Sequence, residues 1–193
     1  DFSCVTPSVL HIGLHPRGQK RHLYAQVQDL GAFLMGAQLT DRLSGGLGTM
    51  EGTVGDATKG ALPAFDGAIN VGPFAFRQPP GVLTAASHLS VYGWSHASDK
   101  RFKVEHLHLP ISVRNDAITI YDGRLGNEAL GATLEGKIGL DDGMLRLNGT
   151  VVPVFAINAA PGRLPGIGKL FAPEKGGGLL AATFTINGKA SQP

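Results

Sequence analysis

Leu145-Arg146-Leu147-Asn148-Gly149-Thr150-Val151-Val152-Pro153-Val154-Phe155 decides the fold. Leu145, Leu147, Val151 and Phe155 alternate with Arg146, Asn148 and Thr150. A period of two belongs to an extended strand, whose side chains point by turns to opposite faces. One face of this strand is therefore oily and the other wet. The preceding stretch repeats the pattern, with Leu134, Ile138 and Leu140 on one side and Thr133, Glu135 and Lys137 on the other. Asp141-Asp142-Gly143 joins the two, a compact polar connection of residues that tolerate positive φ. The pair reads as an antiparallel hairpin.

Outward from this hairpin the same rhythm continues. Leu107, Leu109, Ile111 and Val113 line one face of an earlier strand, and Asn115-Asp116 turns it into the next. Strands are expected at Leu23–Val27, Gly46–Val54, Ala64–Phe76, Phe102–Val113, Ala117–Leu125, Ala129–Leu140, Met144–Ala156 and Leu179–Asn187. Those from 102 to 156 form an antiparallel meander. Asp29 caps a short helix in which Leu30, Phe33 and Leu34 share a face, with Leu39 and Leu43 extending it toward Ser44-Gly45-Gly46. Pro80 to Ser95 reads as a second helix. Residues 1–20 read as an irregular segment, with at most one short strand drawn from Val9, Leu10, Ile12 and Leu14.

The expected fold class is mainly β: a curved antiparallel sheet, trough-like or partly closed, with two or three short helices in one domain spanning 1–193. So few helices are a poor cover for the apolar face of eight strands. Either a partner, a second sheet or an apolar ligand closes that face, or the sheet curls on itself into a sandwich or barrel.

Composition agrees with a turn-rich β protein. Of 193 residues, 42% are hydrophobic, 28 are glycine and 12 are proline. Only 17% are charged, against roughly 25% in an average soluble domain. The net charge of +2, with no basic cluster on one face, argues against nucleic acid as a partner. Cys4 is the single cysteine, so no intrachain disulfide can form. No apolar run reaches the roughly 18 residues that span a bilayer.

Catalytic and metal chemistry finds little footing. His106-x-His108 places two imidazoles on one face of a strand, half of a metal site. That face is opposite Leu107 and Leu109, hence the wet one, and no motif supplies further ligands. There is no G-x-S-x-G elbow. Asp141-Asp142 reads as turn material rather than as a carboxylate pair. Gly176-Gly177-Gly178 precedes a strand, whereas a phosphate-cradling loop needs a helix after it. Trp94 with Tyr92 reads as an interfacial aromatic pair or as a helix-end core contact. No enzyme, cofactor or metal is expected.

Several stretches rich in Gly, Pro and strand alternation carry a resemblance. They are Asp29-Leu30-Gly31 with Ser44-Gly45-Gly46, Gly126–Leu140, GTVVPVFAIN (149–158), LPGIGKL (164–170) and GGGLLAATFTINGKASQP (176–193). Together they resemble the C-terminal region of AsmA-like proteins, over most of residues 22–193 and most strongly from 126 onward. The resemblance implies a periplasmic piece of a longer protein, anchored in the inner membrane of a Gram-negative cell by a segment that this chain lacks. It also implies lipid transport and outer-membrane integrity, through a β-sheet groove whose apolar inside shields acyl chains. The start at Asp1 rather than Met fits a piece of a longer protein.

The residues expected to line the apolar groove are Leu134, Ile138, Leu140, Leu145, Leu147, Val151 and Phe155. Their expected partner is phospholipid or another acyl lipid, close to both membranes. The alternative is a scaffold that docks another envelope protein through its face or through a sheet edge.

Overall fold

The computed structural model describes residues 2–6, 10–18, 20–56, 62–78, 101–128, 130–153 and 181–189. The chain is mainly β and antiparallel throughout. Its strands are β1 (Phe2–Thr6), β2 (Leu10–Arg17), β3 (Lys20–Val27), β4 (Leu43–Gly45), β5 (Gly48–Val54), β6 (Phe65–Val71), β7 (Phe74–Phe76), β8 (Phe102–Val104), β9 (His106–Arg114), β10 (Ala117–Gly126), β11 (Leu130–Gly139), β12 (Met144–Pro153) and β13 (Ala182–Lys189). One helix, α1 (Leu30–Gly36), occurs among the described residues.

Ten strands form one large sheet in the order β1-β2-β3-β5-β6-β9-β10-β11-β12-β13, and β4-β7-β8 form a small one. The order is sequential, so the large sheet is a meander interrupted by two excursions. Between β3 and β5 the chain leaves to make α1 and β4. Between β6 and β9 it leaves again to make β7 and β8. Both excursions start and finish at the same end of the sheet, because Val27, Gly48, Val71 and Leu107 are consecutive register partners there. The small sheet and α1 therefore sit together at that end. Among the described residues the large sheet does not close on itself into a barrel or sandwich, and β1 and β13 are its two edges.

Local chemistry sets the turns. Asn115 and Asp116 have φ of 48° and 55°, a two-residue connection of the mirror-image type that matches strand twist. After β11, Asp142 Oδ1 accepts from the Met144 N–H at 2.8 Å, which fixes the return into β12. The Leu130 N–H donates to Asn127 Oδ1 and the Asn127 N–H to the Leu130 carbonyl, both at 2.9 Å, closing the β10–β11 turn. Asp29 caps α1 as its position predicts, its Oδ1 accepting from the Ala32 N–H at 2.8 Å.

Four expectations change. Residues expected to be irregular at the N-terminus form β1 and β2, paired in register from Phe2–Leu14 to Thr6–Leu10. The helix stops at Gly36, and Leu43 lies in β4. The run Ala64–Phe76 is two strands in different sheets, broken at Gly72-Pro73, and Phe102–Val113 is likewise two, broken at Glu105. The last strand is shifted forward, from Leu179–Asn187 to Ala182–Lys189. The helix expected over 80–95 lies outside the described residues.

Candidate functional site

The register of the sheet resolves its apolar face into four rows running across the strands. The first contains Leu10, Val27, Val71, Leu107, Leu125, Ala132 and Val151. Beside it run Ile12, Ala25, Met50, Ile69, Leu109, Leu134 and Phe184. A third row holds Leu14, Leu23, Ile111, Ile120, Leu147 and Ile186, and a fourth Val54, Phe65, Val113, Ile118, Ile138 and Leu145. Among the described residues the face is unbroken by charge except at Arg21, whose guanidinium donates to the Gly55 carbonyl.

This face has two parts. At the first row it is covered by the excursions: Val71, Phe74 and Val104 pack with Leu30, Leu43, Phe76 and Phe102. Leu130, Ala132 and Val151 pack with Phe76 and Phe102 at the same end. Phe74 and Phe76 meet edge to face with ring centroids 5.4 Å apart. The remaining rows form a second cluster centred on Phe65, Ile111, Ile120 and Leu147. Among the described residues this cluster is built only from side chains of the large sheet, with nothing from α1 or the small sheet. Around its buried centre, Leu23, Met50, Ile69, Leu109, Ile118, Leu134, Ile138 and Ile186 are only partly buried.

Aromatic rings fill the places where side chains are missing. The Phe65 ring lies over the bare backbone at Gly52 and Gly67, and Phe184 lies over Gly149.

The seven residues singled out from the sequence fall into four groups. Leu147 and Val151 are core, 7% and 1% exposed. Leu134, Ile138 and Leu145 line the partly open rows. Leu140 departs from them, because β11 ends at Gly139 and the chain has already turned; its side chain is 42% exposed and its N–H donates to the Asp116 carbonyl. Phe155 lies outside the described residues, as do Trp94, Tyr92 and Gly176 to Gly178. Members of the same face that sequence reasoning did not single out include Phe65, Met50, Ile118 and Ile186. The signal was present in their alternation, but only the pairing register joins them to Leu134 and Leu147.

The reverse side of the sheet is wet. Asp66 is bonded to Arg114, and Asp122 to Arg124. His22 Nε2 lies 3.2 Å from Glu51, and His108 Nδ1 lies 2.6 Å from Asn70 Oδ1. Hydrogen bonds from Arg114 and then Ser112 hold the Asp66 carboxyl below its ordinary value, while the bond to Asp122 raises Arg124. A bulge in β10, with Asp122 at φ 41°, walls a shallow hollow of about 540 Å³. Its floor is a grid of three registered strands carrying Thr133, Thr150 and Thr183 in one line and Glu135, Asn148 and Thr185 in the next. Among the described residues, no group of three or more His, Cys, Asp or Glu could hold a metal ion. No helix among them is long and apolar enough to cross a membrane.

No protein-family model matches the chain, and neither a curated protein nor a solved structure does.

Proposed function

We propose that this chain is a lipid-binding portion of an AsmA-like envelope protein, working in the periplasm by shielding acyl chains rather than by catalysis. The observation that supports this reading is the apolar face, four rows deep across the large sheet. Over the third and fourth rows the described residues supply no covering element, while Ile69 and Phe184 of the second row also pack against the covered clusters. An apolar groove needs no specific polar contact to hold a lipid tail, because each buried CH₂ contributes roughly 0.8 kcal/mol. Partly buried Leu134, Ile138, Leu145 and Ile186 are the contacts for acyl chains, and buried Leu147 holds the floor, while Val151 lies under the covered end. On this reading the sheet is a trough, and continuity with neighbouring segments carries lipid between inner and outer membranes.

The test is native mass spectrometry with lipid extraction on the purified chain and on an Ile138→Asn variant. Ile138 is only partly buried, so the variant is expected to fold and to lose co-purifying phospholipid. A chain that holds no lipid and takes none from phospholipid vesicles, while folded, refutes the proposal.

One observation favours the second reading, a scaffold. The β13 edge of the sheet carries no partner strand among the described residues. A strand from another envelope protein would add there through backbone bonds.

A further inference from the structure

We propose that two copies of this chain pair edge to edge through β13, antiparallel about a two-fold axis at Thr185. This pairing follows from the register of the sheet and not from the lipid reading, so either can fail alone.

β13 is the last strand of the large sheet, eight residues long. Among the described residues its hydrogen bonds are confined to the β12 ladder and to the Thr185–Asn148 side-chain bond, 3.0 Å long. Among the described residues its outer edge therefore presents a row of unpaired N–H and C=O groups. Edge strands are ordinarily blunted by proline, a bulge or an interior charge. β13 has none of these: its register against β12 is unshifted from Ala182 to Lys189, and its only charge is Lys189, the terminal residue. An edge of this kind is a template for another strand.

The strand pattern selects a second copy as that strand. Ala182, Phe184, Ile186 and Gly188 are half-buried on the apolar side, while Thr183, Thr185, Asn187 and Lys189 are exposed on the wet side. Residues directly opposite in an antiparallel ladder share a face, so β13 matches its own copy when the paired numbers sum to an even value. Pairing about Thr185 sets Thr185 against the partner's Thr185, and Phe184 against the partner's Ile186 on both sides of the axis. These aromatic and β-branched contacts are the favourable kind for cross-strand neighbours. Pairing about Ile186 would set Phe184 against the partner's Gly188 and lose them. The two Lys189 side chains lie at opposite ends of the ladder, so like charges never meet. The two-fold also keeps both apolar faces on one side, extending the four rows without a break. A single strand pair buries less than a standard interface, so the dimer forms and separates with concentration.

The experiment uses the full chain carrying Cys4→Ser, to remove the native thiol, with Thr185→Cys added. Under mild oxidation the introduced thiols are expected to give a covalent dimer, and sedimentation of the Cys4→Ser parent is expected to show mass rising with concentration. Glu135→Cys, exposed on the same face but away from the edge, is expected not to cross-link. Thr185→Lys sets two ammonium groups against each other and is expected to leave a folded monomer; Thr183→Lys checks the same edge at a second position. A mass independent of concentration overturns the proposal. So does a dimer in which Thr185→Cys links no faster than Glu135→Cys, the result for pairing through the apolar face. A ladder of larger species with no cross-link at 185 overturns it too, by placing β13 against β1 of the next copy.

Discussion

Gly136 on β11 stands directly opposite Leu147 on β12, and it does so at a φ of 138°. A Cβ at this glycine would come within 2.1 Å of the Arg146 carbonyl oxygen and 2.8 Å of Leu147 Cα. The third apolar row can therefore close between Ile120 and Leu147 only because position 136 has no side chain. Gly136→Ala is expected to destabilise the chain by about 1–3 kcal/mol, the cost of a non-glycine residue held in such a conformation. Gly131→Ala is the control, since a Cβ there meets nothing within 4 Å. Urea midpoints for the two variants decide the matter, and coincident midpoints would remove the steric argument.

The two parts of the apolar face differ in how much a lost side chain should cost. Leu130 is fully buried where the small sheet packs on the large one. Leu130→Ala is expected to cost about 2–5 kcal/mol, transfer plus cavity. Ile138→Ala removes atoms that are already partly in contact with solvent, so its cost is expected to fall clearly below that of Leu130→Ala. Chemical denaturation of both variants checks the order. Equal costs would mean that the Ile138 rows are packed as tightly as the covered end.

Much of the large sheet was legible because its signal is local. The alternation around Leu147 and the turn chemistry of Asn115-Asp116 place β9 to β12 within a few residues of where they stand. The small sheet was not legible, for a reason of length. Leu43–Gly45, Phe74–Phe76 and Phe102–Val104 have three residues each, too few to show any period, and two of them run almost directly into longer strands. Phe74 and Phe102 therefore read as extensions of the neighbouring strands, although they serve as the cover of the first apolar row. The distinction between Leu147, which is core, and Ile138, which is half-open, is also invisible in sequence. Both sit at alternating apolar positions, and their burial depends on what the other strands place beside them. Leu140 kept the right parity but fell beyond the strand end, where the turn set by Asp142 takes over.

The Asn115-Asp116 turn gives a test of local chemistry alone. Both residues adopt the left-handed conformation, with φ of 48° and 55°. Asp116→Gly is expected to stabilise the chain by under about 1 kcal/mol, the relief of left-handed strain being offset by the greater freedom of unfolded glycine. Asp116→Val, β-branched at positive φ, is expected to destabilise it by about 1–2 kcal/mol. Thermal midpoints should rank glycine above aspartate above valine. Any other order would show that this turn does not follow the backbone preference.

Asp66 supplies the pH dependence. It faces Ser112 across the β6–β9 ladder, and Arg114 bonds to its carboxylate. Those hydrogen bonds, Arg114 first, lower its pKa from the ordinary 3.8. A carboxyl whose pKa is depressed by folding contributes stability above its unfolded pKa, and that contribution is lost as pH falls through the folded value. The chain is therefore expected to lose stability on acidification below about pH 4, and Asp66→Asn is expected to lose less over the same window. The side chains of Asp66 and Arg114 are 57% and 49% exposed, so solvent and salt screen the pair and the difference should be small. Thermal midpoints of both proteins through the acid range, at low and high salt, measure it. The gap between the two curves should open above pH 4 and narrow in high salt. Parallel curves would mean that Arg114 holds the carboxylate no better in the folded chain than water does in the unfolded one.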